Sequence, residues 1–155
     1  MPDQPSQDEQ NKWHRWFAVE CNNLCWDLTT KKRTAEEDAK MLDAAHAAAF
    51  HWGAVGGDLN VIRAKSLLAL VHALLGRGPS ALSYAKESHA YLLGHDAPDW
   101  EAAIAHAILA HAACAAGDSE LHARAYSDAK AAMEAITDPD DQAIARETFD
   151  LVPVP

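Results

Sequence analysis

The chain has 155 residues, with 13 lysines and arginines against 23 aspartates and glutamates, giving a formal net charge of −10 with histidine neutral. That length is expected of one domain spanning residues 1–155, and the acidic balance excludes the basic stripe by which proteins hold nucleic acid. Three cysteines are too few for a disulfide framework, and no apolar run approaches the roughly 20 residues of a membrane span.

The start, MPDQPSQDEQ, has no signal-peptide pattern, so the expectation is a cytoplasmic protein with neither nucleic acid nor membrane as partner. Alanine is abundant while isoleucine, valine and threonine are sparse, a balance that favours helix over strand. Residues 1–8, with Pro2 and Pro5, read as a loose tail. A first helix is expected over 10–28, where Trp13, Phe17, Cys21, Leu24, Cys25 and Leu28 share one face. The basic run Lys31-Lys32-Arg33 lies in the turn that follows. Thr34 then opens a capping box with Glu37, starting a second helix that runs to about Val55 and stops at Gly56-Gly57.

A third helix is expected over 59–75, its apolar arc holding Val61, Ala64, Leu67, Leu68, Val71, Leu74 and Leu75. GRGPS ends it and begins a fourth over 80–93. Asp99 is expected to cap a fifth helix that reaches Ala116, and Gly117-Asp118 turns the chain into a sixth ending near Ile136. Asp138-Pro139 supplies a cap and a first-turn proline for a short seventh helix. Pro153 and Pro155 force residues 150–155 into an extended tail. No segment alternates with period two, and the predicted class is all-α, with about seven antiparallel helices.

Two architectures fit seven helices joined by short connections: a closed up-down bundle or stacked helical hairpins. The fifth helix favours the second. One of its arcs holds Trp100, Ile104, Ala107, Ile108, His111, Cys114 and Ala115. The opposite arc is Ala102, Ala103, Ala110 and Ala113, and a helix without a charged face is covered on both sides.

Residues 66–84 contain Leu68-Ala69, the turn Gly76-Arg77, then Ala81-Leu82 and Tyr84; 41 residues later Leu109-Ala110, Gly117-Asp118, Tyr126 and Ala129 repeat much of this. Small residues stand where two helices cross, glycine where the chain reverses, and an aromatic where one hairpin meets the next. Over residues 59–137 the pattern resembles the tetratricopeptide (TPR) repeat. The resemblance implies a non-catalytic module that binds a protein or peptide on the concave face of its first helices. The groove positions it implies are Arg63, Ser66, Leu70 and Ala73 on the third helix, and Ile104, Ala107, His111 and Cys114 on the fifth. They are mostly apolar, which suits an amphipathic helix or an apolar tail. The chain's own Leu151-Val152-Pro153-Val154-Pro155 is such a tail, able to fill its own groove or a partner's.

Nine histidines suggest a different function. His14, His46, His89, His111 and His122 each fall in the apolar arc of a different helix, and imidazoles from separate helices can converge on zinc or iron inside a bundle. A metal- or haem-binding bundle, and with it an enzyme, is therefore the alternative reading. Cys21 and Cys25 share a stripe with His14, and His111 is one turn from Cys114. Against this, no His-x3-His, Cys-x2-Cys or His-Glu-x2-His spacing occurs, so hydrogen-bonded structural histidines are the simpler expectation. No Gly-x-Ser-x-Gly or Walker-type loop is present either, and the expectation is no cofactor.

Glu20, beside Trp13 and Phe17, reads as a solvated carboxylate rather than a buried acid. Trp16 and Trp26 lie off the main arc of the first helix, and Trp52 off that of the second. Helices apolar on more than one face lie inside a fold or at an oligomer interface, so a homo-oligomer, most simply a dimer, is expected. Asn22-Asn23, opposite the apolar arc, are candidate ligand donors.

Overall fold

The structure is a computed structural model that describes residues 4–155, and these form seven α-helices with no strand among them. They are α1 (Gln7–Thr29), α2 (Ala35–Val55), α3 (Asp58–Leu74), α4 (Gly78–Gly94), α5 (Asp99–Ala116), α6 (Ser119–Ala135) and α7 (Pro139–Phe149). The expected all-α class is thus realised.

Local chemistry explains most of the boundaries. Thr34 and Glu37 form the expected capping box, and the carboxylates of Asp118 and Asp138 accept backbone N–H bonds at the starts of α6 and α7. α1 begins earlier than its apolar arc suggested. Ser6 and Glu9 form a second capping box there, so residues 7 and 8 belong to the helix instead of a loose tail. Residues 1–3 of that expected tail lie outside the described residues. Pro98, not Asp99, caps α5; Asp99 sits inside its first turn, where a carboxylate complements the helix dipole. Gly117 ends the same helix at φ 77°, a left-handed conformation that glycine adopts without penalty.

Consecutive helices pair as hairpins: α1 with α2, α3 with α4, α5 with α6. The hairpins stack so that α2 meets α3, α4 meets α5 and α6 meets α7, while the first helices touch in series, α1 to α3, α3 to α5 and α5 to α7. α1 and α7 do not touch, so the helices form a stack of hairpins and not a closed bundle. Alanine makes this spacing possible. α5 is buried on every side through Ala103, Ile104, Ala105, Ala107, Ile108, Leu109, Ala110, Ala112 and Ala113, and packs against α3, α4, α6 and α7.

Three apolar clusters run through the stack, the smallest being Ile62, Leu92 and Ala105. Of the other two, one joins α1, α2 and α3 around Cys25, Met41, Leu67, Leu68 and Val71; the larger joins α3 to α7 around Leu70, Ala107, Ile108 and Ala110. The tail packs on the larger cluster. Val152 is buried in it beside Leu151 and Phe149, and His122 Nε2 donates to the Pro153 carbonyl at 2.7 Å. The tail therefore seals its own core and does not enter the face lined by the first helices.

A close helix approach fixes Gly78, which starts α4 two residues before the expected position. A Cβ there would stand 2.3 Å from the Ala115 carbonyl oxygen and 2.5 Å from Ala116 Cα, both backbone atoms that cannot swing away. Gly78→Ala is accordingly expected to destabilise the fold by about 1–3 kcal/mol through overpacking. Gly53, inside α2, faces open space, and Gly53→Ala should stabilise by up to about 1 kcal/mol through helix propensity. Urea unfolding midpoints of the two variants should move in opposite directions.

Candidate functional site

α1, α3, α5 and α7 leave between them a cavity of about 410 Å³. Its floor holds the buried residues Ser66, Leu92, Ile104 and Thr148. Trp26 from α1 and Trp100 from α5 line it, each half-buried. Asp27, Thr30, Ile144 and Glu147 are exposed at the rim, so the cavity opens to solvent there. Asn22 also lines it, while Asn23 points to solvent.

One ion pair crosses the floor. Arg63 of α3 donates from Nε and Nη2 to the two carboxylate oxygens of Glu101 on α5, at 2.6 and 2.9 Å. The Glu101 side chain is only 7% exposed, against 45% for Arg63. Bidentate geometry and burial of one partner make this pair stronger than an ordinary surface salt bridge. Its hydrogen bond to Glu101 holds the guanidinium above its ordinary pKa. Nη1 has no hydrogen-bond partner among the described residues and remains available to a ligand.

The eight groove positions expected from the TPR resemblance divide between this site and the core. Arg63, Ser66 and Ile104 line the cavity. Leu70, Ala73 and Ala107 lie in the interior cluster instead, because α3 and α5 are covered on both faces and these positions meet neighbouring helices. His111 is buried beyond the cavity, and Cys114, half-buried, is not among its lining residues. Trp100, Glu101 and the α7 residues had no local signal: Arg63 and Glu101 are 38 positions apart, and only the stacking of α3 on α5 joins them.

No protein-family model matches this chain, and no curated protein or solved structure matches it.

The histidines do not converge. His14 Nδ1 lies 2.8 Å from His51 Nδ1 between α1 and α2, and His89 Nε2 lies 3.0 Å from His106 Nδ1 between α4 and α5. The rings of His46 and His72 meet edge to face between α2 and α3, with centroids 5.4 Å apart. His111 of α5 feels the charge of His122 on α6, whose own ring is held by Pro153. The five expected ligands His14, His46, His89, His111 and His122 therefore lie at four different helix seams. Each was placed on an apolar arc, but an arc does not specify which neighbour it meets. Among the described residues no three His, Cys, Asp or Glu side chains form a group able to hold a metal ion. Cys25 is a core residue whose thiol donates to the Met41 carbonyl, and burial pushes its pKa up to about 12.

Burial lowers the pKa of His51, His72, His89 and His106, and lowers that of His111 to about 4. A neighbouring imidazole adds to the shift for His51, His72, His89 and His111, while Asp128 opposes it for His89 and His106. His72 is also buried with neither ring nitrogen hydrogen-bonded among the described residues. Two experiments follow from these environments.

Arg63→Met leaves the Glu101 carboxylate buried without its partner and should destabilise by about 1–3 kcal/mol. The double variant Arg63→Met/Glu101→Gln should recover most of that in urea unfolding. For the histidines, the folded pKa values lie below the unfolded value near 6.5, so the unfolded chain binds protons first. Stability is fully present above that value and is lost as the pH falls from about 6.5 towards 4, where His111 charges. Melting temperature should therefore drop by several degrees between pH 7.5 and pH 5. His72→Leu should raise it at pH 7.5 and flatten its decline, because a buried ring without hydrogen bonds is removed.

Proposed function

We propose that this chain is a non-catalytic, TPR-like helical-repeat module that binds a protein or peptide partner through the cavity shared by α1, α3, α5 and α7. The observation that carries this reading is the cavity itself: successive first helices, in contact in series, enclose an open-rimmed space with apolar walls and a few fixed polar groups. That combination suits recognition of a side chain from an extended or helical segment. The contact of each first helix with the next also agrees with the resemblance carried by Leu68-Ala69, Gly76-Arg77 and Leu109-Ala110.

A second surface supports self-association, most simply as a dimer. Trp13, Trp16, Phe17 and Phe50 are 54%, 59%, 43% and 69% exposed, all on the first hairpin. Trp16 packs edge-on to Phe17, Phe17 stacks on His51, and His51 meets Phe50, so the patch is continuous from Trp16 to Phe50, with Trp13 one helical turn away. At roughly 200 Å² per ring side chain this leaves about 450 Å² of exposed aromatic surface, more than half of what one partner contributes to a standard interface.

Random 12-residue peptides selected on the full chain should bind with micromolar dissociation constants. Ile144→Arg, at the exposed rim, should weaken them about tenfold without changing the melting temperature. Peptides insensitive to that change would place the binding surface elsewhere. In sedimentation equilibrium the chain should dimerise at tens of micromolar, and Trp16→Glu/Phe50→Glu should be monomeric. A wild-type monomer at 100 µM would remove the self-association reading.

A further inference from the structure

The cavity's polar groups select among peptide side chains. Its walls are the indole rings of Trp26 and Trp100, surfaces that attract cations through their π faces as well as apolar stems. Three carboxylates line it, Asp27, Glu101 and Glu147, against a single guanidinium. The Arg63 charge is already neutralised by its two hydrogen bonds to Glu101. The field left over is that of Asp27 and Glu147, both exposed at the rim where an incoming chain would pass.

The floor adds independent acceptors. Ser66 and Thr148 are 7% and 4% exposed, line the cavity, and have no side-chain hydrogen bond among the described residues. Neither hydroxyl oxygen is sealed from solvent, so each is free to accept a hydrogen bond from an ammonium or guanidinium that enters the cavity. An anion would gain only Arg63 Nη1 while facing two uncompensated carboxylates. A purely apolar side chain would displace water from both hydroxyls and give them no bond in return.

We propose that the cavity takes the lysine or arginine side chain of a basic peptide segment, its methylene stem between Trp26 and Trp100 and its cationic head reaching Ser66 and Thr148. The inference rests on the peptide-binding reading given above and names the class of partner. A chain of net charge −10 would also steer such a segment towards it. The exposed rim leaves one side of the cavity open for the peptide backbone, which a free amine would not need.

The test uses the full chain and bead-bound nonapeptide libraries with degenerate flanks. The central residue is fixed as lysine, arginine, norleucine, glutamate or phenylalanine. The expected result is at least tenfold more binding to the lysine or arginine libraries than to norleucine, the uncharged analogue of lysine. Asp27→Asn/Glu147→Gln, two exposed rim changes that leave the core untouched, should abolish the preference. Raising the salt concentration should weaken binding to the wild type.

Equal or better binding to norleucine, phenylalanine or glutamate overturns the cationic assignment and leaves the peptide-binding reading standing. A preference that survives in the Asp27→Asn/Glu147→Gln variant places the cation elsewhere and overturns the assignment. Retention of none of the five libraries overturns both. n-Butylamine binding as tightly as individual lysine peptides recovered from the beads would show a site for a small amine and overturn the peptide as its source.

Discussion

Every helix beyond the first hairpin leans on α5. It touches α3, α4, α6 and α7, and it can do so because half of its residues are alanine, most of them in contact with a neighbouring helix. A helix that must pack on all sides cannot carry long side chains on each of them, since interior packing leaves no room for both the chain and its neighbour. The Gly78 contact with Ala115 and Ala116 belongs to the same constraint, extended to a pair where even one methyl group would clash. The first turns of α5 then carry what the alanine section cannot. Trp100, Glu101 and Ile104 all project into the cavity, and Glu101 anchors the one ion pair that crosses it.

Much of the fold was legible because helix boundaries are written locally. Thr34-Glu37, Gly117, Asp118 and Asp138-Pro139 each act on neighbouring backbone groups, and each stands where the sequence placed a helix end. The Ser6-Glu9 box was equally local, but it lay beyond the apolar arc that guided the reading. Tertiary facts were less accessible. Periodicity says which residues share a face, and not which face meets another helix. Trp13 and Phe17 shared an arc with Cys25 and Leu28; the first two are exposed, while the last two are core, because Cys25 and Leu28 join a cluster that α3 also enters.

The same limit applied to function. Arg63, Ser66 and Ile104 were found as part of a repeated pattern, whereas Ile144, Glu147 and Thr148 sit on α7, which has no counterpart in that pattern. The histidines illustrate it from the other side. Each occupies an apolar arc, and each meets one partner on the adjacent helix, so a set that looked convergent along the sequence is distributed along the stack. Short-range pairing across seams, and not a shared centre, is what stacked hairpins produce from such residues.

Trp26 has a further consequence. It packs against the two larger apolar clusters, together with Leu74 and Tyr84, and it also lines the cavity. The two clusters are candidates for separate cooperative units, and the few side chains spanning them set how strongly one unit senses the other. An occupant of the proposed site, if it rested on Trp26, would press on that joint. Its binding energy would then appear as tighter coupling between the N-terminal hairpin and the rest of the chain, so that occupancy is communicated to the aromatic face of α1 and α2 without any change of shape.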